Sequence, residues 1–334
     1  MTVDRSGTGR GTLRGVHSNS IDGPARPPGR LPILLAFLAV YLIWGSTYLA
    51  IRIAVATLPP FLMAAIRFLV AGGILMGALR VAGTELPGKR HWRNAAIAGL
   101  LLFVGGNGLV VWAAQRLPSG LIALLVATTP IWMALIDWLR PGGNAPGARA
   151  VVGILVGLGG VVSLFVGKGI NAGPEGLSLP GVGAVLVASI AWAAGSLFLR
   201  SAERPASGWM AVAAQMICGG GGLLAVALLR GEARHVEVAS FSAGSIWAFF
   251  YLIVIGSWVG FGAYSWLLEH STPARVSTYA YVNPIVAVSL GCLFAGESFT
   301  SRTAFSAGVT LAGVAIIMGG SRQSLAAGRG EPLE

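Results

Sequence analysis

Long apolar runs dominate this chain, and short clusters of Pro, Gly and charged residues divide them. The runs lie at about 33–52, 60–80, 93–115, 119–139, 149–167, 180–199, 208–229, 245–267, 275–295 and 302–320. Each is close to the ~20 residues that an α-helix needs to cross a hydrocarbon layer. Leu58-Pro59-Pro60, Leu117-Pro118-Ser119, Pro141-Gly142-Gly143, Gly173-Pro174 and Ser271-Thr272-Pro273 fall between runs, where turns belong. The pattern predicts an all-α membrane protein with ten transmembrane helices.

The pattern is also written twice. Trp44 precedes Arg52 by eight residues, and 148 positions on Trp192 precedes Arg200 by eight. Trp112, Gln115 and Pro130 recur 154 positions on as Trp266, Glu269 and Pro284, and the six-residue difference fits one longer loop. Each copy holds five runs, an odd number, so the second copy enters the membrane from the opposite side. The expected organisation is two inverted five-helix repeats, 33–167 and 180–320. An outer linker, 168–179, joins them, and cytoplasmic tails 1–32 (disordered) and 321–334 flank them. Inverted repeats are the architecture of secondary transporters, whose substrate site lies at the repeat interface near the midplane.

Composition agrees with the membrane class. Hydrophobic residues make up 55% and charged residues 10% of the 334, against about a quarter charged in soluble domains. The 49 glycines suit closely packed membrane helices. Residues 1–31 are rich in Gly, Arg, Ser and Pro, without periodicity. The run that follows is of full spanning length and lacks a small-residue cleavage site, so it reads as a retained helix rather than a signal peptide.

The net charge of +11 resides in the N-terminal tail and short loops, which argues against nucleic acid as a partner. With a cytoplasmic N-terminus, sixteen of the 23 Lys and Arg fall on the inner side and six on the outer, with Arg67 inside a span. The bias puts both termini in the cytoplasm and the chain, as a multi-pass protein, in the inner (cytoplasmic) membrane. Cys218 and Cys292 lie in apolar runs with no disulfide or metal-ligand spacing. No cofactor and no metal are expected.

Enzyme signatures are missing: there is no HExxH, GxSxG, Walker loop or paired acid motif, and no catalytic residue is assigned. Other residues stand out at depth. Trp44, Ser46 and Tyr48 lie mid-span in the first helix, with Trp192 related to Trp44 in the sixth. Thr128-Thr129-Pro130 and Asn283-Pro284 are matched midpoints of the fourth and ninth helices. Each proline releases the carbonyl four residues earlier, at Val126 and Ala280. In lipid that carbonyl needs a partner or a wet cavity. Either reading makes Pro130 and Pro284 kinks or hinges. Asn107, Trp258 and Tyr279 complete the substrate-cavity candidates, while Trp112 and Trp266 read as interface aromatics.

The charged candidates are Arg67, Asp137 and Glu297. Arg67 reads either as a substrate contact or as a structural arginine at a helix end, snorkelling outward past Pro60, and the second is preferred. Neither acid is a clear midplane proton relay. Gly153-x-x-x-Gly157 and Gly308-x-x-x-Ala312, in the last helix of each copy, would pack against each other or across a homodimer.

The residues Trp44-Gly45-Ser46-x-Tyr48 with Arg52, Arg67-Phe68, and the run from Pro284-Ile285-Val286-Ala287 to Gly296-Glu297 resemble the drug/metabolite transporter superfamily, in particular its ten-helix EamA type. The resemblance covers about 33–320. It implies two inverted five-helix repeats around a central cavity, working by alternating access, and export of amino acids, other metabolites or toxic compounds. Many relatives place Gly-Glu at the end of the fourth helix as well as the ninth. Here that stretch is Arg140-Pro141-Gly142-Gly143, without an acid.

The expected protein is a non-enzymatic secondary transporter in the lipid bilayer. It exports small amphipathic metabolites, amino acids or drug-like compounds. An importer of the same fold and a non-transporting membrane subunit are the alternatives.

Overall fold

The computed structural model describes residues 30–140, 145–163, 178–271, 276, 278–298 and 300–327. The tail to 29, most of the linker (168–177), the Pro141–Gly143 stretch and 328–334 lie outside the described residues. Among the described residues the secondary structure is helical, with no strands. Seven helical segments are long and apolar enough to cross a membrane. They are α1 (Arg30–Ala54), α2 (Pro60–Val81), α3 (Lys89–Ala113), α4 (Ser119–Leu139), α6 (Leu179–Ser201), α7 (Gly208–Leu229) and α8 (243–270). Three apolar helices are shorter in their described span: α5 (Ala148–Ser163), α9 (Tyr279–Ala295) and the Ser301–Ile317 part of α10 (Ser301–Ala327). Helix α5 stops where the described residues stop.

Two boundaries move into the expected tails: α1 starts at Arg30, and α10 runs on to Ala327. Arg30 and the apolar Leu31 and Pro32 simply extend the first hydrophobic run. Pro60 opens α2 at a position whose N–H no helix would use. Facing outward, α1 presents Leu31, Leu34, Leu35, Leu38 and Leu42, each about half exposed or more, as a lipid-facing helix should.

Lipid is as apolar as leucine, so burial alone does not hold such helices together; close packing must. The contact pairs show how. Helix α2 packs on α7, and α5 on α10; α1 packs on α8 and α9, and α6 on α3 and α4. Glycine lets these pairs reach backbone contact. A Cβ on Gly72 would come within 2.9 Å of the Ala213 carbonyl, and one on Gly220 within 3.0 Å of Leu69 N. Gly99 and Gly219 do the same between α3 and α7.

Helices α5 and α10 do pack against each other, through a different residue from the one expected. Gly313 faces the backbone of Gly157 and Gly153, and Gly160 faces Thr310, while Gly308 has open space around it. The Gly308-Ala312 pair lies on the wrong face of α10. The α5–α10 pair meets the rest of the bundle mainly along α4, where Ile131, Ile154, Val314 and Ile317 form a small core.

Gly313→Val should push a side chain into backbone that cannot yield, lowering stability by about 3 kcal/mol or more. Gly308→Ala should change it by less than about 0.5 kcal/mol. Thermal unfolding of the detergent-purified variants measures both.

Candidate functional site

Six helices, α1, α3, α4, α6, α8 and α9, enclose most of a cavity of about 670 Å³, with Arg67 of α2 and Ile317 of α10 adding to its wall. That volume suits a drug-sized solute. Trp44, Tyr48, Asn107, Thr129, Pro130, Asp137, Trp192, Tyr279, Asn283 and Pro284 line it, as do Arg67 and Arg200.

An aromatic wall covers one side. Trp44 lies edge-on to Phe261 (centroids 5.5 Å apart) and to Tyr279 (5.1 Å), and 4.9 Å from Tyr264. Rings continue inward from Phe261 to Phe103 (6.4 Å) and Phe68 (4.5 Å further). The Arg67 guanidinium sits 4.7 Å above the Phe68 ring. Two tryptophans are seated by glycine. A Cβ on Gly260 of α8 would come within 2.7 Å of Trp44 Nε1, and one on Gly106 of α3 within 2.9 Å of Trp192 Cε3.

Both of these glycines neighbour or lie within stretches of π-helix, Leu100–Gly108 in α3 and Leu252–Val259 in α8. Such widened turns recur at functional sites. In α8 the Ser257 hydroxyl donates to the Leu252 carbonyl five residues back (3.0 Å), filling the loosened ladder.

Arg67 departs from the preferred sequence reading. It does not snorkel outward. Only 4% exposed, it donates from Nε to Ser257 Oγ (3.1 Å) on α8. The π-turn that presents Ser257 carries no sequence signature, so the sequence could not decide between the inward and the outward reading.

The two prolines act differently. At Pro130 helix α4 breaks into Ser119–Val126 and Thr129–Leu139. The carbonyl released at Val126 accepts from the Thr129 hydroxyl (2.6 Å). At Pro284 helix α9 continues unbroken, and Ala280, whose carbonyl the ring releases, lines the cavity. The Asn283 amide, oriented by its partners, donates to the carbonyls of Tyr41 and Tyr279, both at 3.3 Å. It thereby ties α9 to α1 beside the cavity.

Four sequence candidates lie elsewhere. Ser46 donates to the Ile43 carbonyl (2.8 Å) and shares a hydrogen bond with the Tyr251 hydroxyl (2.6 Å), on the side of α1 that meets α8. Thr128 is fully buried, giving its hydroxyl to the Leu125 carbonyl and accepting from Trp132 Nε1. Trp258 turns towards α2, donating to the Ala71 carbonyl (3.0 Å). Glu297 lies outside the cavity wall. Its carboxylate pairs with Arg52 and accepts from the backbone N–H of Ser119 (2.8 Å) and Gly120 (3.2 Å).

This carboxylate joins three cavity helices at one face: the end of α1, the start of α4 and the turn after α9. Gly296, at φ 60°, makes that turn. An acid at the positive end of α4 is also favoured by the helix dipole. Further ties close the same face. Ser245 Oγ donates to the Ile53 carbonyl (2.7 Å), and Leu62 N donates to Glu232 (2.9 Å) at the start of α2. Burial pushes the Glu232 carboxyl above its ordinary range, against the lowering effect of the Leu62 and Phe61 amides and Arg230. Towards the opposite face the cavity reaches Asp137 and Arg200, near the ends of α4 and α6. Asp137 is ion-paired with Arg140 at 2.7 Å.

Phe261, Tyr264 and Arg200 carry the cavity without having been singled out as site residues. Repeat arithmetic pointed to two of them: Phe261 stands 154 positions after Asn107, and Arg200 stands 148 after Arg52. Among the described residues no group of His, Cys, Asp and Glu gathers as a metal site.

Comparison with known proteins followed the same repeat. A model of the EamA-like transporter family matches residues 31–166 and again 179–319. A protein of Escherichia coli K12 named as an uncharacterized inner membrane transporter, YedA, is 38% identical over 288 residues, 86% of this chain and 90% of its own. PecM of Dickeya dadantii is 27% identical over 286 residues, covering 82% and 86%. A solved crystal structure superposes with a TM-score of 0.58 over 88% of this chain and 99% of its own, at 18% identity, a likeness of fold.

On a background of Cys218→Ala and Cys292→Ser, a water-soluble maleimide should label Thr129→Cys and leave Ser46→Cys unmodified. Glu297→Ala should lower the stability of the detergent-purified protein by about 2–3 kcal/mol, since it strands three donors. Arg52→Ala should cost about 1 kcal/mol or less, because that side chain is 37% exposed. Thermal melting separates the two.

Proposed function

Because the chain belongs to the EamA-like transporter family, we propose that it is an inner-membrane secondary transporter. In this reading it exports small amphipathic metabolites by alternating access. Ten spans form two inverted five-helix repeats, with both termini in the cytoplasm and the linker outside. The observation that carries the reading is the 670 Å³ cavity among α1, α3, α4, α6, α8 and α9, tied shut at one face by Glu297 and reaching Asp137 and Arg200 at the other.

The symmetry of that cavity supports the repeat. Lining residues occur as equivalents between the copies: Trp44 with Trp192, Tyr48 with Ser196, Val110 with Tyr264, Thr129 with Asn283, and Pro130 with Pro284. The helix pairs follow the same exchange. α1 on α8 mirrors α6 on α3, and α1 on α9 mirrors α6 on α4. Each copy's first-helix tryptophan rests on a glycine of the other copy's third helix.

A rocking mechanism needs elements that bend. The break at Pro130, the proline within α9 and the paired π-stretches supply them in both copies. In this reading the face tied by Glu297 is the outer one, by the distribution of Lys and Arg, and the cavity faces the cytoplasm. A small apolar solute with a polar group would enter there. The Gly-mediated α5–α10 contact lies within one chain, so a homodimer would need another surface.

Metabolite release from cells overproducing the protein tests this reading, with Asn283→Leu at equal membrane abundance as the control. The wild type should release one or a few amphipathic metabolites selectively. The variant, having lost the amide that links α9 to α1, should release them about tenfold more slowly, the effect of roughly 1.4 kcal/mol. Equal release from cells lacking the protein would sink the export reading.

A further inference from the structure

The charges that line the cavity do not cancel. Asp137 is its one acid among the described lining residues, and Arg140 already occupies it at 2.7 Å. Arg67 is nearly fully buried, and its contacts are one hydrogen bond from Nε to Ser257 and the face of the Phe68 ring. Among the described residues no carboxylate pairs with it, and its two terminal nitrogens meet no protein acceptor. An arginine keeps its charge under these conditions. Those terminal nitrogens are reached from the cavity, so a cation in a largely apolar wall favours an anion among the cavity's occupants.

Arg200 adds a second cation at the other end of the cavity, with no carboxylate paired to it among the described residues. Its repeat equivalent, Arg52, is held by Glu297. The equivalent of Glu297, 154 positions earlier, is Gly143. One arginine of the pair is thus latched to an acid, and the other, with none among the described residues, lines the cavity.

We propose that the solute is an organic carboxylate with a flat apolar body. Arg67 takes the oxyanion through its free fork of N–H donors, the geometry that suits bidentate carboxylate binding. Trp44, Phe261, Tyr264 and Tyr279 take the apolar body. Arg200 draws the anion to the mouth by long-range attraction. The inference rests on the transporter reading and adds the sign of the solute's charge.

The test is binding to the purified full-length protein, read by tryptophan fluorescence, of 3-phenylpropionate, its methyl ester and 3-phenylpropylamine. The acid should bind at least about tenfold more tightly than the ester or the amine, as expected for charge-assisted bonds. Arg67→Gln should remove that advantage, bringing the acid and the ester to similar affinities, and Arg67→Lys should restore part of it. Arg200→Gln should weaken the salt dependence of the acid's association rate.

Equal or tighter binding of the amine or the ester, or no binding by the acid, overturns the proposal on the wild type alone, whatever the variants' folding. Unchanged acid affinity in a folded Arg67→Gln variant also overturns it. Counterflow in vesicles separates the two inferences. Exchange of amines in preference to acids would keep the transporter and discard the anion site. Acid binding without exchange of any solute would keep the anion site and discard transport.

Discussion

Close approach of helix backbones is the constraint on which the rest of this structure depends. In a solvent of hydrocarbon, two apolar helix faces gain little by meeting unless they meet closely enough for many dispersion contacts. Gly99 against Gly219, Gly72 against Ala213, and Gly157 against Gly313 bring the backbones that close. The tightly packed α2–α7 and α5–α10 pairs then flank the six helices that surround the cavity. Even the aromatic wall follows this rule, since the Trp44 and Trp192 rings need Gly260 and Gly106 beneath them.

Most helix positions, and much of the cavity, could be read from the chain before its structure. The apolar runs were long, the prolines were punctual, and a residue that recurs at a repeat distance in mid-span has few reasons to be there except the shared interior. Trp44, Trp192, Thr129 and Asn283 were legible on that ground, and each lines the cavity. Rotation about the helix axis was not legible. Neighbours along a helix differ by about 100°, so Ser46 and Thr128 point away while Thr47 and Thr129 point in. Trp258 was placed by depth alone, and depth says nothing about which side of α8 it occupies.

Arg67 and Glu297 exchanged roles between sequence and structure for one reason: their partners are remote in the chain. Ser257 is 190 residues from Arg67, and Arg52 is 245 from Glu297. Neither pairing leaves a local pattern. The charged residue expected to escape to the interface lines the cavity, and the acid offered as a candidate for it is a strut at the rim. Composition alone ranks both as expensive residues in a membrane; only the fold says which is held and which is waiting.

The glutamate at the rim makes the two mouths of the cavity thermodynamically unequal. Opening its face means separating one carboxylate from a guanidinium and two amide donors in a single event, and the position that corresponds to it by the repeat spacing, 143, is a glycine. In an alternating mechanism the empty protein would then idle in one conformation by default. Two copies that both carried such an acid would start with two equivalent resting states. One acid without an equivalent in the other copy is enough to give a preferred direction in which to wait.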